Sequence, residues 1–128
     1  MIRGGGGTEL LKNLALEELR ILGKELEDYN GHCGELCDDV LHRHHKAKIL
    51  YIAATHEPDL IVSVAGHAWD YHMVPVVDGI VHDAWHPDLL LPPLEYVQAA
   101  FPKQHLRAEV TSGTATEHLE LSWQGKNT

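Results

Sequence analysis

Cysteine, phenylalanine and basic residues are the scarce components of this 128-residue chain: two Cys, one Phe, and ten Lys plus Arg against nineteen Asp plus Glu. Two thiols cannot form a disulfide framework. Cys33 and Cys37 are spaced one helical turn apart, where a disulfide would be strained, so free thiols in a reducing compartment are expected. The deficit of positive charge leaves a formal net charge of −9 with histidine neutral. Such a surface repels a nucleic-acid backbone, and nucleic-acid binding is not expected. No apolar run has the length of a membrane span and no N-terminal stretch reads as a signal peptide, so no membrane insertion is expected.

What is present is a single domain's worth of sequence with an ordinary apolar content of 44%, enough for a core without covalent staples. The opening Met1-Ile2-Arg3 and its four glycines read as a flexible joint or cloning scar over 1–7. The domain then spans 8–123, with a tail at 124–128. Eleven histidines are a high count and make charge sensitive to pH near neutrality.

Along the chain, Thr8 can cap a helix running to about Glu27, with Leu10, Leu11, Leu14, Leu19, Leu22 and Leu26 on its apolar stripe. Tyr29-Asn30-Gly31 ends it. A second helix from about Cys33 to Lys46 buries Leu36, Cys37, Val40 and Leu41, and carries His42, His44 and His45 on a solvated end. Lys48–Ala54 reads as a strand, and Leu60–Ala65 as a strand or a connector. Trp69–Val77 and Ile80–Trp85 flank Asp78-Gly79, a strong hairpin signal. Prolines at 92 and 93 open a short helix over Leu94–Phe101. His105–Thr111 and His118–Trp123 alternate like two further strands. The order predicts an α+β domain: N-terminal helices packed on a mostly antiparallel sheet with one inserted helix.

The chemistry concentrates at Cys33. It sits where Asn30-Gly31-His32-Cys33-Gly34 runs into a helix, and a thiol at a helix N-terminus faces unpaired N–H groups and the positive end of the dipole. That favours the nucleophilic thiolate. A base and an orienting group would then come from the hairpin. With Val77 opposite Ile80, Val74 falls opposite Asp83 and His72 opposite Trp85, so His72 and Asp83 share a face diagonally. His72 is thus the expected base and Asp83 its orienter. His67, five residues earlier, falls on the other face unless a bulge intervenes, and stays open as a second choice. Pro75 occupies a hydrogen-bonded position opposite His82 that it cannot fill, which calls for a bulge or wider loop. Cys33 N–H supplies one oxyanion donor, and Asn30 is the nearest side chain for a second. Trp85 and His67 are the other residues expected to line the site. This constellation needs no metal and no cofactor.

Two other readings remain open. Cys33, Cys37 and His44 fall near one helical face and could offer soft N/S ligands to zinc. The acidic surface could instead belong to a non-catalytic binding module, such as an immunity or interaction protein. His32, His56, His86, His105 and His118 have no identifiable partner, Cys37 reads as a small core residue, and Asp38-Asp39 as polar surface.

The assembled stretches, Gly31-His32-Cys33-Gly34-Glu35-Leu36, Tyr71-His72-Met73-Val74, Gly79-Ile80-Val81-His82-Asp83 and Pro92-Pro93-Leu94-Glu95-Tyr96-Val97, resemble the papain-fold toxin domains of bacterial polymorphic toxin systems. His67-Ala68-Trp69 is similar to the His-Ala-Trp of transglutaminase-like domains, which would move the base to His67. The resemblance implies a papain-like fold and a Cys-His-Asp triad of Cys33, His72 and Asp83. It implies a thiol protease, glutamine deamidase or transamidase acting on a protein amide. It further implies an effector payload carried by a larger secreted protein, acting in the target-cell cytoplasm and blocked by a cognate immunity protein.

Overall fold

The computed structural model describes residues 12–56, 58–112, 115–119 and 121. Its elements run α1 (Leu14–Leu22), a 3-10 turn (Leu26–Tyr29), α2 (Cys33–Arg43), β1 (Lys48–Ala54), β2 (Ile61–Val62), β3 (Ala68–Trp69), β4 (Tyr71–Val77), β5 (Ile80–Val81), α3 (Pro93–Ala100), β6 (Leu106–Thr111) and β7 (Thr116–His118). Strands β5-β4-β1-β6-β7 form one sheet in that order, and β2-β3 a small second one. Every ladder of both sheets is antiparallel. The fold class is α+β.

Period-two alternation divides the large sheet into two faces. Leu50 and Ile52 of β1, Val74 and Val76 of β4, and Ala108 and Val110 of β6 are buried in one cluster with Tyr96, Val97, Ala100 and Phe101 from α3. On the other side, Met73 and Val77 pack with Leu36 and Val40 of α2 and with Ala15 and Leu19 of α1. Trp69 packs against both clusters. One apolar layer thus lies on each face, and β4 is shared between them.

The first helix is shorter than its leucine stripe predicts. Gly23, left-handed at φ 66°, ends α1, and the chain re-enters as a 3-10 turn before Tyr29. Glycine at this position releases the last carbonyls, and its N–H returns to Arg20 and Leu19. The cap is Asn13, whose Oδ1 accepts from the Ala15 and Leu16 N–H groups at 2.9 and 3.0 Å. Thr8, Leu10 and Leu11 lie outside the described residues. Helix α2 starts at Cys33 as expected but ends at Arg43, three residues early, and Leu41 is only half-buried. Arg43 donates from Nε to the buried Glu18 carboxylate at 2.7 Å, which ties α2 to α1.

The second hairpin forms around Asp78 and Gly79, both at positive φ (52° and 80°), as a type I′ turn requires. Val77 pairs with Ile80 and Val76 with Val81, as the turn dictates, and there the ladder stops. Pro75 accepts from His82 N–H at 3.0 Å but has no N–H to return. The pairs expected beyond it, Val74 with Asp83 and His72 with Trp85, do not form. Asp83 leaves the strand into a turn instead.

The stretch expected as one strand from Trp69 is broken at Asp70, and its two parts belong to different sheets. Of Leu60–Ala65, only Ile61–Val62 is strand. The last strand among the described residues is Thr116–His118; of the strand expected over His118–Trp123, residues 120, 122 and 123 lie outside the described ones, as does the expected tail.

Candidate active site

Because β5 stops at Val81, the first half of β4 keeps an outer edge that β5 does not cover. The N-terminus of α2 arrives there. Gly31, left-handed at φ 76°, turns the chain into the helix, and Met73 N–H donates to Cys33 Sγ at 3.4 Å. Cys33 is the first helical residue, so its own N–H has no partner within the helix. Cys33 as a whole residue is 6% exposed.

Behind it stands His72, fully buried on β4 and opposite Ile52 of β1. His72 Nε2 donates to Asp83 Oδ2 at 3.0 Å. The carboxylate is also fully buried and collects further bonds. His86 Nδ1 donates to Oδ2 at 2.6 Å, Tyr96 OH donates to the same oxygen, and Trp85 N–H donates to Oδ1 at 2.9 Å. An ionised carboxylate only accepts, so each neighbour must present a proton. That places a proton on His72 Nε2 in either charge state, and Nδ1 is the nitrogen left for the thiol. Among the described residues Nδ1 has no hydrogen-bond partner, so the Sγ–Nδ1 bond is not closed in this state. Long or misaligned contacts of this kind are ordinary in substrate-free sites.

The groups shift each other nonetheless. Burial pushes the Cys33 thiol up, but the neighbouring His72 and the Met73 N–H outweigh it and hold Cys33 below the usual thiol range. Burial pulls His72 down, yet the charge and hydrogen bond of Asp83, helped by Cys33, raise it to about 9. Burial alone would raise Asp83; His72 and His86 instead hold it far below the ordinary carboxylate range. Burial, and then Asp83, keep Tyr96 protonated well above a free phenol.

Aromatic rings seal the pair. Trp69 stacks on His72 with centroids 3.9 Å apart and planes 15° from parallel, and Trp85 stands edge-on at 5.5 Å. Both rings also line an open pocket of about 350 Å³, together with Asn30, Gly31, His67 and Tyr71. Water is thereby kept from the His72–Asp83 bond, and the pocket reaches Trp69 and Trp85, the rings that cover His72, from outside.

The structure therefore brings Cys33, His72 and Asp83 together, and Asn30, His67 and Trp85 to the adjoining pocket. His67 is exposed and packs its ring against Trp69 at 5.4 Å rather than against the thiol. The face argument that set it apart from His72 does not apply, because the strand it assumed is interrupted. Cys33, Cys37 and His44 do not converge as a metal site. Among the described residues the one group of three candidate donors within 4.8 Å is His72, Asp83 and His86. Three further expectations need correction. His86 has a partner in Asp83. His32 lies 3.1 Å from Glu35, and His118 3.2 Å from Glu109. Asp39 is not idle surface, since Tyr29 OH donates to it at 2.7 Å.

Asn13 and His82 were not singled out by the sequence, yet they hold the turn. Asn13 Nδ2 donates to the Asp83 carbonyl at 3.1 Å, and Leu14 N–H donates to His82 Nδ1 at 3.0 Å. Burial, with His44 nearby, keeps His82 below its ordinary range, which suits its role as an acceptor. The α1 N-terminus is thus fastened to the segment that delivers Asp83. Comparisons with protein-family models, curated proteins and solved structures found no match.

Proposed function

We propose that this domain is a cysteine-nucleophile enzyme acting on protein amides, with Cys33 as nucleophile, His72 as base and Asp83 as the residue that orients the imidazole. The observation that carries this reading is the buried series Cys33–His72–Asp83, in which the Asp83 bonds leave Nδ1 of His72 toward the thiol. In the first step the His72 Nδ1 accepts the thiol proton and Sγ attacks the amide carbonyl carbon. The Cys33 N–H is a donor for the resulting oxyanion, and Asn30 on the pocket wall is the candidate for a second. Collapse breaks the C–N bond, the imidazolium protonates the leaving amine, and a thioester remains. Water, or an amine, then displaces the thiolate with His72 again taking the proton. A peptide bond gives proteolysis, a glutamine side chain gives deamidation, and an amine acceptor gives transamidation.

The resemblance to papain-fold toxin domains supports placing this activity in an effector, delivered by a larger bacterial protein and restrained by an immunity protein in the producing cell. The net charge of −9 makes a basic surface the natural complement on that partner.

The test is to incubate the protein with a soluble proteome and read it by mass spectrometry for new chain termini, glutamine-to-glutamate conversion and incorporation of an added primary amine. One of the three, absent with Cys33→Ala, is the expected result. Equal traces from both proteins would leave a binding module as the better account.

A metal reading of His72, Asp83 and His86 has their proximity in its favour. The 3.0 and 2.6 Å separations from Asp83 are those of N–H···O bonds, and Tyr96 adds a third proton to the same oxygen. The hydrogen-bonded reading fits better.

A further inference from the structure

The geometry points to His86 and Tyr96 as positioning residues that tune the His72 base through Asp83, a role that rests on the catalytic reading above. A carboxylate offers about two acceptor sites on each oxygen; Asp83 accepts four hydrogen bonds, three of them crowded on Oδ2 and one on Oδ1. Only one bond, that from His72, serves the proposed reaction directly. Two of the others come from side chains on separate parts of the fold, the turn after β5 and helix α3, and both end on the oxygen that His72 uses. Orienting Asp83 would need no such convergence, because the Trp85 N–H on Oδ1 already does so.

The effect of the convergence is electrostatic. Each added donor draws charge from Oδ2 and weakens its pull on the His72 proton. The groups facing Asp83 and His72 are few: His86 from the same turn, Tyr96 from α3 and Cys33 from α2, with His67 edge-on to His86 at 6.2 Å. Among the described residues no Lys or Arg is a hydrogen-bond partner of Asp83 or His72. His86 sits here at a local cost, since its buried Nε2 has no hydrogen-bond partner among the described residues. A residue kept only to fill space would not need the unpaired nitrogen. With the clamp in place, His72 holds its proton firmly enough to support a thiolate and loosely enough to pass it to a leaving amine. Without it, Asp83 would pull harder on the Nε2 proton, stabilise the imidazolium further and make Nδ1 slower to give up its proton.

The experiment uses the full chain and three variants. Tyr96→Phe removes one hydroxyl and keeps the ring. His86→Leu removes the donor and keeps bulk. His86→Asn keeps a donor, since Nδ2 of Asn stands where Nδ1 of His does. Ring-nitrogen NMR titration of His72 reads the clamp, and pH-resolved alkylation of Cys33 in the unaltered protein reads the catalytic site separately. Tyr96→Phe and His86→Leu should each raise the His72 midpoint by about half a unit to one unit, and His86→Asn should restore it. An unchanged midpoint in both removal variants would overturn the proposal, as would a His86→Asn protein behaving like His86→Leu. If His86→Leu does not fold, Tyr96→Phe alone decides. An ordinary, slow Cys33 thiol would sink the nucleophile reading while the His72 titration still judged the clamp.

Discussion

Cys33 and Cys37 occupy the same helix, one turn apart, and both are buried, yet their surroundings act on them in opposite directions. Around Cys37 burial dominates and, with Asp38 and Cys33 adding like charge, drives the thiol far above its ordinary range. Around Cys33 burial acts with the same sign, but His72 and the Met73 N–H reverse it. Helix position contributes to the contrast, since only Cys33 is at the first turn. The larger part comes from the uncovered edge of β4, which presents a backbone donor and an imidazole to one thiol and not to the other. Burial by itself raises a thiol, and a buried imidazole and backbone N–H beside it lower it again.

The sharpest way to break this contrast is to exchange the two roles. Cys33→Ala should abolish any amide chemistry, whereas Cys37→Ala should leave it intact and cost about 1 kcal/mol of stability from the lost packing. Activity assays beside chemical denaturation check both, and loss of activity in Cys37→Ala alone would invert the account.

The next largest effect falls on Asp83, whose removal leaves four buried donors without their acceptor. Asp83→Ala should cost about 3–5 kcal/mol, read by urea denaturation. It should also alter the pH dependence. The His72 midpoint is raised from 6.5 to about 9, so its contribution to stability is complete below pH 6.5 and lost as pH rises through about 9. The Asp83 midpoint is depressed, so its contribution persists down through mildly acid pH and fails only in stronger acid. Unaltered protein should therefore lose stability between pH 6.5 and 9, and Asp83→Ala should show a flatter alkaline limb.

The smallest effects concern the two glycines beside Cys33. Gly31 holds φ 76° with open space around a would-be Cβ, so Gly31→Ala should cost about 1–2 kcal/mol from backbone strain alone. A Cβ at Gly34 would meet Met73 Sδ at 3.5 Å, an ordinary contact, so Gly34→Ala should be nearly neutral. Melting curves for the pair separate the turn that delivers the thiol from the helix that carries it.

Local signals explain why much of this was legible in the sequence. The start of α2, strand β1 and the Asp78-Gly79 turn each follow from a few adjacent residues; Pro75 called for a bulge or wider loop, whereas the ladder simply ends at Val76 and Val81. The structure brings Cys33, His72 and Asp83 together as their order along the chain suggested, but not through the hairpin register expected to place them. Asp83 reaches His72 from a turn rather than from a paired strand, because Pro75 ends the pairing before Asp83. The break at Asp70, which parts Trp69 from β4 and lets it fold back over His72, has no local marker as strong as a glycine or proline. His86 and Tyr96 were missed for a related reason: their value comes from meeting one oxygen across three segments, and only the Asp-x-x-His spacing of the turn hinted at it. The early end of α1 was within reach, since Gly23 is a capping residue that the leucine pattern overshadowed.

The measurement that tests the central claim most directly is the alkylation rate of Cys33 against pH, resolved from Cys37 by peptide mass spectrometry, in the unaltered protein and in His72→Ala and His67→Ala. An ordinary thiol titrates near ~8.5. The account predicts fast reaction at Cys33 persisting well below neutral pH, lost in His72→Ala and retained in His67→Ala, with Cys37 unreactive throughout. Slow reaction with an ordinary midpoint in all three proteins would contradict it.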